Sequence, residues 1–542
     1  MKVKEILRKD FSVKGNVDSD ISGVAYDSRN VKDGDLFVAI KGEKFDAHDF
    51  IEDAIKRGAV AVIYEDSKRD LSELMSRYSN TVWIGVKDCR DALAAISCIF
   101  YGNPSEKVTV IGITGTNGKT TTSYLIKSVM ERWGKSVGLI GTINYMIKDR
   151  VYEAPHTTPE SVEFQSLLRR MSDNGCDYVV SEVSSHALSQ KRADYTKFAA
   201  AVFTNLTRDH LDFHKTMEDY FDAKSRLFSE LLSEGGVAAI NIDDPYGVKL
   251  VNILKDKKVK ILTYSLKKPD ADLTAFDIKT TFKETSFRIK MNVNKKIIED
   301  IIISPLVGTI NVYNILSAIC VALSFSVPLK IIKEGISKVG AVKGRFERVD
   351  MGQDFLAVVD YAHTEDALEQ LLLNTRQLLE TCTLAGMHKK KSAKSEYAFL
   401  PDAEEKGKII IVFGCGGNRD RGKRAKMGEI ATRLSDLVII TSDNPRYEDP
   451  RDIISDIEMG VKNDNYIIIP DRNIAVSMAV ELASPGDIVL VAGKGHEDYQ
   501  EIQGNRYHFS DSEILRNAIM GMTSLSSNET DETDKKAGAI RC

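Results

Sequence analysis

The chain has 542 residues, of which 43% are hydrophobic and 28% are charged, and its formal net charge is −5. These values are typical of a soluble globular protein, and the length is too great for one core, so we expect about three domains. The slightly negative charge argues against a general nucleic-acid or anionic-membrane binder, although it leaves room for local basic sites that hold phosphates.

The seven cysteines are scattered, and no two of them form a C-x-x-C pair. The sequence therefore indicates neither a disulfide framework nor a zinc site, and it fits a reducing compartment. The N-terminus lacks the apolar core of a signal peptide, and no apolar run is long enough to cross a bilayer. We expect a cytoplasmic protein that binds neither membrane nor nucleic acid.

Residues 1–105 alternate short strand and helix patterns, which is typical of a small α/β unit. The candidate strands are Leu36–Ile40, Ala59–Tyr64 and Thr81–Val86. A helical pattern over His48–Arg57 lies between the first two strands. Ser28 lies in a polar segment ahead of the first strand, and by spacing alone that segment is a plain turn. The breaker cluster Tyr101–Ser105 marks the end of this unit.

The next part of the chain opens on the stretch Gly112–Thr122, which carries the clearest chemical signal. An apolar strand pattern over Val108–Ile113 precedes it, and a helical pattern over Thr120–Arg132 follows it. Glycines let several backbone N–H groups face one anion, and the helix N-terminus adds its positive end. Lys119 is expected to reach nucleotide phosphates and Thr120 to bind Mg²⁺. The loop TGTNGKT is shorter than the usual phosphate loop, so a simple glycine-rich turn is the alternative.

Strand and helix patterns continue to alternate after this loop. The candidate strands are 108–114, 137–141, 178–183, 199–204 and 237–242. They predict a mostly parallel, doubly wound sheet whose ligands gather at the carboxyl ends of the strands. Around residues 285–303 the apolar period changes to two, which indicates a small antiparallel sheet. Helical patterns follow at Asn311–Ser324 and Lys330–Lys338.

Polar side chains follow two of these strands and are candidates for a metal site. Mg²⁺ prefers oxygen ligands, so Thr120 and Glu182 are the natural first choices. His210 ends a polar run after a neighbouring strand. The alternatives are a loop salt bridge for Glu182 and a structural role for His210. Lys224 lies in the helical pattern Met217–Leu232, and nothing in its spacing distinguishes it from a solvated helix lysine.

The last part of the chain begins near Gly344–Arg348 and again alternates strands with helices. The candidate strands are Phe355–Val359, Lys408–Phe413, Leu437–Thr441 and Asp487–Ala492. The last three run into polar loops, and loops that share one sheet edge are typical of a binding-site rim. Residues 386–407 are rich in Lys and Ser and are interpreted as an inserted surface loop. The polar tail from Ser524 is expected to be disordered.

The three loops carry side chains suited to a small zwitterion: Arg419, Arg421, Asp443, Asn444, Arg446 and Glu497. Guanidinium groups bind a carboxylate through two hydrogen bonds, and Asp or Glu binds an ammonium group. The alternative is a surface network of ion pairs, which contributes little to stability. The residues alone favour neither interpretation.

Several of these motifs occur together in one order. They are TGTNGKTT, Glu182–His186, Asn205–His210, Asp222–Lys224, Asn311–Asn314, Gly344–Arg348, Asp360–His363, GCGGNRDRGKR from Gly414, and Asp443–Arg446. On these motifs, from residue 22 to about residue 510, the chain resembles the Mur ligase family. The resemblance implies an α/β fold of three domains. They are a small UDP-substrate-binding unit at 1–105, a central P-loop-like doubly wound ATPase with a small antiparallel sheet at 106–344, and a C-terminal, amino-acid-binding Rossmann-like domain at 345–523, with a disordered tail at 524–542.

The resemblance also implies a reaction, with Mg²⁺ as cofactor and ATP as co-substrate. ATP would phosphorylate the D-Glu γ-carboxylate of UDP-N-acetylmuramoyl-L-Ala-D-Glu, and an amine of meso-2,6-diaminopimelate would displace the phosphate, a step of peptidoglycan synthesis. The protein is expected to act as a monomer. A lysine-adding relative is the nearest alternative. Arg446 favours diaminopimelate, because lysine lacks the distal carboxylate that would pair with this guanidinium.

The roles implied by the resemblance fall on matched residues. The catalytic residues are Lys119, Glu182, His210 and Lys224. The metal ligands are Thr120, Glu182, His210 and Lys224, the last as a carbamate (N6-carboxylysine). The ATP-binding residues are Gly115, Thr116, Asn117, Gly118, Lys119, Thr120, Thr121, Asn311, Arg345 and Asp360. The UDP-substrate residues are Ser28, Thr157, Thr158, Ser184, Gln190 and Arg192. The diaminopimelate residues are Arg419, Asp443, Asn444, Pro445, Arg446, Gly493 and Glu497.

Other functions are less consistent with the sequence. A folylpolyglutamate synthetase would share the ATPase but would lack a UDP-binding unit such as residues 1–105. A non-ligating nucleotide-binding scaffold of the same fold would be expected to lose catalytic residues that this chain keeps. The chain departs from the family pattern in its longer segment between Asp360 and Lys408, in Glu365 where proline is usual, and in its tail.

Overall fold

The computed structural model describes residues 1–42, 45–66, 70–293, 296–392 and 407–522. Contacts divide the chain into two compact units. The first unit comprises residues 1–206, 210–271 and 317–332, and the rest of the described chain forms the second. Each unit is described below by itself. The three-domain boundaries expected from the sequence stay a prediction.

The first unit contains a small sheet near the N-terminus. Its strands are β1 (Ser12–Lys14), β2 (Gly23–Ala25), β3 (Asp35–Val38), β4 (Ala61–Glu65) and β5 (Val82–Val86). Their order is β1-β5-β4-β3-β2, with β1 antiparallel to β5 and the other pairs parallel. The helices are α1 (Ile51–Lys56), α2 (Ser72–Arg77) and α3 (Cys89–Phe100). The predicted strands lie within one or two residues of β3, β4 and β5, whereas β1 and β2 are too short to show a pattern.

The larger sheet of the first unit carries the phosphate loop. Its strands are β6 (Thr109–Thr114), β7 (Val137–Ile140), β8 (Asn144–Ile147), β9 (Arg150–Glu153), β10 (Tyr178–Glu182), β11 (Phe198–Phe203), β12 (Leu232–Asn241) and β13 (Lys260–Ser265). Their order is β13-β12-β11-β6-β10-β7-β8-β9. Strands β13 to β7 in this order pair in parallel, and β8 and β9 add antiparallel edges. The parallel centre confirms the prediction and brings the carboxyl ends of β6, β10 and β11 to one edge.

Helices pack beside this sheet. They are α4 (Lys119–Arg132), α5 (Ser161–Asp173), α6 (Ser185–Ser189), α7 (Leu211–His214), α8 (Met217–Ser229) and α9 (Pro245–Leu254). The helical pattern expected over Met217–Leu232 was three residues too long. Helix α8 ends at Ser229 because Leu232 joins the ladder of β12, opposite Phe198 of β11.

The second unit begins with an antiparallel ladder of β14 (Leu273–Thr280), β15 (Thr285–Val293) and β16 (Lys296–Ser304). On β15 the residues Phe287, Ile289 and Met291 are buried, which is the expected alternation. Helices α10 (Thr309–Ser324) and α11 (Leu329–Ser337) follow in the chain, close to their predicted bounds.

The second unit also contains an α/β sheet. Its strands are β17 (Glu347–Val349), β18 (Leu356–Asp360), β19 (Ile409–Phe413), β20 (Leu437–Ile440), β21 (Tyr466–Ile468) and β22 (Ile488–Ala492), in the order β17-β18-β22-β19-β20-β21. All pairs are parallel except β17 with β18. The helices are α12 (Glu365–Ser392), α13 (Gly422–Leu434), α14 (Pro450–Glu458) and α15 (Arg472–Glu481). A hairpin of β23 (Tyr499–Ile502) and β24 (Asn505–His508) and a helical stretch at 511–522 follow.

The loop interpretation of residues 386–407 was wrong for its first part. Helix α12 continues to Ser392. Its C-terminal half contains lysines, Ala385 and Met387, which are good helix formers, so the helix propagates without an apolar period. Residues 393–406 and the tail from Ser524 lie outside the described residues. Within the described ranges, no helix combines the length and the apolar character needed to cross a bilayer.

Candidate functional site

The glycine-rich loop connects β6 to α4 and is held tightly against the end of β11. Gly118 caps α4 at φ 87°, and Gly115 has φ 145°. A Cβ atom on Gly115 would lie 1.9 Å from Oγ1 of Thr204, so only glycine fits there. Asn205 accepts the backbone N–H of Thr116 at 2.9 Å and, through its side chain, that of Asn117 at 2.9 Å. The strand, loop and helix therefore have the arrangement of an anion-binding turn.

Lys119 lies folded over this loop. Its Nζ donates hydrogen bonds to the carbonyl oxygens of Gly115 at 3.0 Å and Thr116 at 2.8 Å. The ammonium group is thus already at the loop surface, and a bound phosphate would replace carbonyl oxygens as its acceptor. Thr120 and Thr121 follow in the first turn of α4 and are buried.

Glu182 ends β10 and is fully buried beside the first turn of α4. Its carboxylate accepts hydrogen bonds from Thr120 Oγ1 at 3.1 Å, Thr142 Oγ1 at 2.9 Å and the Thr142 backbone N–H at 3.0 Å. Across the described ranges, no Lys, Arg or His side chain pairs with it, so the salt-bridge alternative was wrong. A buried carboxylate without a cation, next to a hydroxyl, is the oxygen donor set that Mg²⁺ prefers. The residues therefore fit the expected metal.

Lys224 is buried, so the expectation of a solvated helix lysine was wrong. Its side chain is 1% exposed, and Nζ donates to the carbonyl oxygen of Gly115 at 2.9 Å. Nζ also lies 4.6 Å from the ring centroid of Tyr220, whose hydroxyl is 3.2 Å from Oγ1 of Thr116. Helix α8 thus turns Lys224 toward the phosphate loop, a packing fact that its helical spacing does not reveal.

His210 belongs to a group of rings beside Lys224. Its ring lies 6.0 Å from Tyr220 and 4.8 Å from His186, between centroids. The group also contains His214, which the sequence analysis did not single out, with Nε2 2.9 Å from Oγ of Ser185. In the part of the chain that the structure describes, no three His, Cys, Asp or Glu side chains form a ready metal cluster. A metal at His210 would therefore need a further ligand, such as a modified Lys224.

The pKa of His214 is lowered to about 4, chiefly because burial disfavours its charged form and also because of the positive charge of neighbouring groups. His214 is therefore neutral near pH 7 and can share a hydrogen bond with Ser185. The only sequence signal for it was its spacing of four residues from His210.

Five of the six expected UDP-substrate residues meet beyond the end of β10. Thr158 Oγ1 donates to the backbone oxygen of Glu182 at 2.9 Å and accepts the Ser184 N–H at 3.0 Å. Arg192 donates to the Thr158 carbonyl at 3.1 Å and to Gln190 Oε1 at 2.7 Å. Thr157 Oγ1 lies 3.1 Å from Oγ1 of Thr142.

Ser28 lies apart from these five residues in the hydrogen-bond pattern. It begins a short 3₁₀ helix at Ser28–Asn30, capped by Asp27, rather than the plain turn expected from spacing. No hydrogen bond in the described residues joins it to the other five. Tyr26, two residues earlier, donates to Glu163 of α5 at 3.2 Å, which ties the small sheet to the helix that follows Thr158.

The remaining nucleotide candidates lie in the second unit. Asn311 is buried, donates to the Val307 carbonyl at 2.8 Å, and so has a structural hydrogen bond. Asp360 accepts the backbone N–H groups of Phe346 at 2.7 Å and Ala362 at 2.9 Å. Burial raises the pKa of Asp360, and the charge of Arg345 opposes that rise.

Arg345 has a geometry that suits an anionic ligand. Its guanidinium carbon lies 4.8 Å from the ring centroid of Tyr361, which orients the side chain. Its Nε is buried and has no hydrogen-bond partner. A buried donor without an acceptor is costly, so an incoming oxygen atom would be favourable here.

Asn444 is the centre of the polar loops that follow β19, β20 and β22. Its Nδ2 donates to Glu497 Oε2 at 2.8 Å, and its Oδ1 accepts from Lys494 Nζ at 2.9 Å. Burial raises the pKa of Glu497, and the charge of Lys494 opposes this rise. Lys494 is fully buried. The sequence analysis passed over it because it looked like a loop lysine between glycines.

Arg446 is held in place from two sides. Its Nε donates to Glu501 Oε2 at 3.2 Å and its Nη1 to the Gly417 carbonyl at 2.8 Å. Its backbone has φ 52°, and its N–H donates to the Glu501 carbonyl at 3.0 Å. The guanidinium is therefore fixed in direction, which suits recognition of a planar carboxylate.

The other members of this rim differ in their surroundings. A Cβ atom on Gly493 would lie 2.7 Å from Oδ2 of Asp443, so the glycine allows the two loops to approach. Pro445 is buried and Arg419 is exposed. Arg421 pairs with Glu448 at 2.8 Å, so the ion-pair alternative holds for Arg421. Glu448 in turn binds the buried Arg424 at 3.0 Å.

Comparison with known proteins gives matches along almost the whole chain. Residues 20–101 match the family described as "Mur ligase family, catalytic domain", residues 113–322 the "Mur ligase middle domain" and residues 380–495 the "Mur ligase, glutamate ligase domain".

Two curated relatives are named UDP-N-acetylmuramoyl-L-alanyl-D-glutamate–2,6-diaminopimelate ligase. The relative from Clostridium tetani is 42% identical, covering 96% of this chain and 99% of its own. The relative from Caldanaerobacter subterraneus subsp. tengcongensis is 43% identical, covering 94% and 96%. A solved structure with the same name is 31% identical and has a TM-score of 0.65. The match covers 96% of this chain and 99% of the chain in that structure.

Proposed function

The chain belongs to the Mur ligase family, and from that premise we propose that it is an ATP-dependent amide ligase of peptidoglycan synthesis. It joins meso-2,6-diaminopimelate to the D-Glu γ-carboxylate of UDP-N-acetylmuramoyl-L-Ala-D-Glu. The observation that carries this proposal is the 42% identity to a relative of that name across nearly both whole chains. The fixed guanidinium of Arg446 supports the choice of amino acid.

The first half of the reaction takes place at the phosphate loop. A carboxylate is a poor acyl donor, so the substrate γ-carboxylate takes the γ-phosphoryl group of ATP and becomes an acyl phosphate, with ADP leaving. The backbone N–H groups from Gly118 to Thr121, at the start of α4, hold the phosphates, and Lys119 offsets the charge that gathers on the transferred group. Thr120 and Glu182 would hold Mg²⁺, which would supply further charge neutralisation.

Lys224 takes part as a carbamate in this proposal. Its ammonium group first loses a proton to solvent, and the neutral amine then forms a bond with the carbon of CO₂ and releases a second proton, so the cation becomes an anion with two oxygens. The buried position over Tyr220, facing the Gly115 carbonyl, supports this, because an ammonium group costs more there than in water. With His210, the carbamate oxygens would complete a second metal site.

The UDP-sugar-peptide is held by the residues beyond β10. Arg192 is paired with Glu160 at 2.5 Å and is oriented by the Thr158 carbonyl. Thr157 and Ser184 offer hydroxyl groups on the same side. Ser28 reaches the nucleotide end of this substrate from the small sheet.

The second half of the reaction needs diaminopimelate at the loops around Asn444. The distal carboxylate pairs with Arg446, and the carboxylates of Asp443 and Glu497 face the distal ammonium group. The other amino group, unprotonated, attacks the acyl carbon, an amide forms, and inorganic phosphate leaves. A lysine-adding enzyme is the alternative. Lysine would leave Arg446 desolvated without its partner, at a cost of about 1–3 kcal/mol.

An assay of ADP release tests the proposal. The purified protein is given ATP, Mg²⁺ and UDP-N-acetylmuramoyl-L-Ala-D-Glu, and each amino acid is added in turn. We expect ADP release that depends on meso-diaminopimelate and is much slower with L-lysine. Release with lysine alone would move the chain to the lysine-adding enzymes. No release with any amino acid would favour the non-ligating scaffold.

A further inference from the structure

Thr142 donates hydrogen bonds to the Glu182 carboxylate through both its backbone N–H and its hydroxyl, whereas Thr120 donates through its hydroxyl alone. The Thr142 backbone N–H donates to Oε1 at 3.0 Å and the Thr142 hydroxyl donates to Oε2 at 2.9 Å, so Thr142 holds both carboxylate oxygens. The preceding Gly141 has no side chain, and a Cβ there would lie 2.4 Å from Glu182 Oε1. The Gly141-Thr142 turn after β7 is therefore shaped around this carboxylate.

The hydroxyl of Thr142 also connects Glu182 to the substrate residues. Its oxygen lies 3.1 Å from Oγ1 of Thr157. A carboxylate can only accept a hydrogen bond, so the single hydrogen of Thr142 points to Glu182. Thr157 must then donate to Thr142. The result is two successive hydrogen bonds that run in one direction, from Thr157 to Thr142 and from Thr142 to Glu182.

We infer that Thr142 is a positioning residue that orients Glu182 for its metal and links that carboxylate to the substrate contact at Thr157. This inference rests on the proposed function, because it takes Glu182 as a metal ligand and Thr157 as a substrate residue. Hydrogen-bond partners of metal ligands commonly contribute about 10–100-fold to metal affinity. Thr142 holds Glu182 through two of its atoms, and substitution by valine or serine keeps the backbone N–H contact, so the hydroxyl contact can be tested separately.

The donor-to-acceptor direction of these two hydrogen bonds has a consequence for the substrate. The only hydrogen of the Thr157 hydroxyl is committed to Thr142, so only lone pairs on Thr157 face the ligand. The substrate atom that meets Thr157 is therefore a donor, an amide N–H or a sugar O–H. A carbonyl or phosphate oxygen would meet a lone pair and would be disfavoured.

Binding of Mn²⁺ with ADP to the full chain tests the inference without turnover. Isothermal titration is carried out without the UDP-substrate, on the wild type, Thr142→Val and Thr142→Ser, with melting temperatures as the fold control. We expect Thr142→Val to bind about tenfold or more weakly, and Thr142→Ser, which restores the hydroxyl, to bind nearly as the wild type. Wild-type affinity in Thr142→Val would overturn the inference.

Thr157→Val provides a second, independent test in the same titration. With no UDP-substrate present, the hydroxyl of Thr157 is connected to the Glu182 carboxylate through the hydroxyl of Thr142. We expect Thr157→Val to weaken Mn²⁺-ADP binding in the wild-type background and to have no effect in the Thr142→Val background. An equal loss of affinity in both backgrounds, or no loss in either, would overturn the hydrogen-bond path from Thr157 through Thr142 to Glu182.

These outcomes are separate from the fate of the proposed function. A wild-type protein that neither binds Mn²⁺-ADP nor releases ADP with diaminopimelate would contradict the proposed function itself. A wild-type protein that does both, combined with a Thr142→Val variant that binds Mn²⁺-ADP normally, would contradict only the positioning role.

Discussion

Nζ of Lys224 donates a hydrogen bond to the carbonyl oxygen of Gly115 at 2.9 Å, so a lysine of helix α8 is anchored on the phosphate loop. The same carbonyl oxygen accepts from Lys119 Nζ at 3.0 Å. Two amino groups thus share one acceptor. Lys224, the deeper of the two, is the one proposed to carry the carbamate.

We expect Lys224→Ala to abolish turnover, because the proposed second metal site would lose the carbamate oxygens that complete it beside His210. Added formate or acetate should restore part of the activity by placing a carboxylate in the space left by the side chain. The measurement is steady-state ADP release with and without the carboxylate. Lys249→Ala is the matched control, since that lysine stacks on Phe221 and Tyr246 and should leave turnover near the wild-type rate. Full activity of unrescued Lys224→Ala would remove the carbamate from the mechanism.

Arg446→Ala should raise KM for meso-diaminopimelate by about 10–100-fold, which corresponds to the loss of one charged, oriented hydrogen-bond partner. KM for ATP should change little, because the Arg446 side chain pairs with Glu501 and Gly417, neither of which is proposed to bind ATP. The selectivity for diaminopimelate over lysine should fall by a similar factor. Arg433→Ala is the control: that guanidinium forms an exposed pair with Glu369 at 2.6 Å. An unchanged selectivity in Arg446→Ala would contradict the role given to this residue.

The buried pair of Arg472 and Asp511 should contribute strongly to the stability of the loops proposed to bind diaminopimelate. Both side chains are fully buried, with Nη2 2.7 Å from Oδ2, and Nη2 also donates to the Ala492 carbonyl at 2.9 Å. Removing one partner of such a pair costs about 3–5 kcal/mol, because the other charge is left buried alone. Arg472→Met should therefore lower the free energy of unfolding in urea by that amount.

Arg472→Met should also affect the binding of diaminopimelate, because Arg472 contacts a loop proposed to bind it. Arg472 donates to the carbonyl of Ser442 at 3.3 Å, directly before Asp443. Arg472→Met should weaken diaminopimelate binding as well as stability. Lys426→Ala, which breaks an exposed pair with Glu365 at 2.9 Å, is the control and should cost at most about 1 kcal/mol. Equal stability of the two variants would contradict the importance of the buried pair.

His214 should make stability depend on pH. Its pKa in the folded protein is lowered to about 4 from the ordinary histidine value of 6.5. A group with a lowered pKa favours the folded state above its unfolded pKa, and that contribution is lost as pH falls from 6.5 to about 4, because the unfolded chain then binds the extra proton. The loss is at most about 3 kcal/mol. His214→Asn should show a shallower fall in unfolding free energy over this window, and an identical slope would contradict the assignment.

Much of the fold was predictable, because parallel strands buried on both faces read as apolar runs and their ends carry polar residues. The phosphate loop, Glu182 and the Asn444 loops were found in this way. Lys224 was not, since its burial depends on how α8 packs against the loop and not on its helical spacing. Thr142 and Lys494 were missed for a related reason. Each acts through a partner distant in sequence, Glu182 and Asn444, and an isolated threonine or lysine after a strand has no local signal.

The small strands show a second limit. Strands β8 and β9 form an antiparallel hairpin, with Asn144 opposite Glu153, which the strand patterns of the sequence did not predict. Each has four residues, too few to establish a period of two. The prediction for the C-terminal end of α12 was wrong for a different reason. Polar residues with good helix propensity continue the helix to Ser392, into the segment that was interpreted as a loop.

The central claim is that the substrate carboxylate becomes an acyl phosphate, and isotope transfer tests it most directly. The γ-carboxylate of the UDP-muramoyl dipeptide is labelled with ¹⁸O, and the enzyme turns over with ATP and meso-diaminopimelate. If the carboxylate oxygen forms the P–O–C bridge and the C–O bond breaks on attack by the amine, the released phosphate carries one ¹⁸O atom. Mass spectrometry should find that label in inorganic phosphate, whereas unlabelled phosphate with labelled amide product would contradict the account.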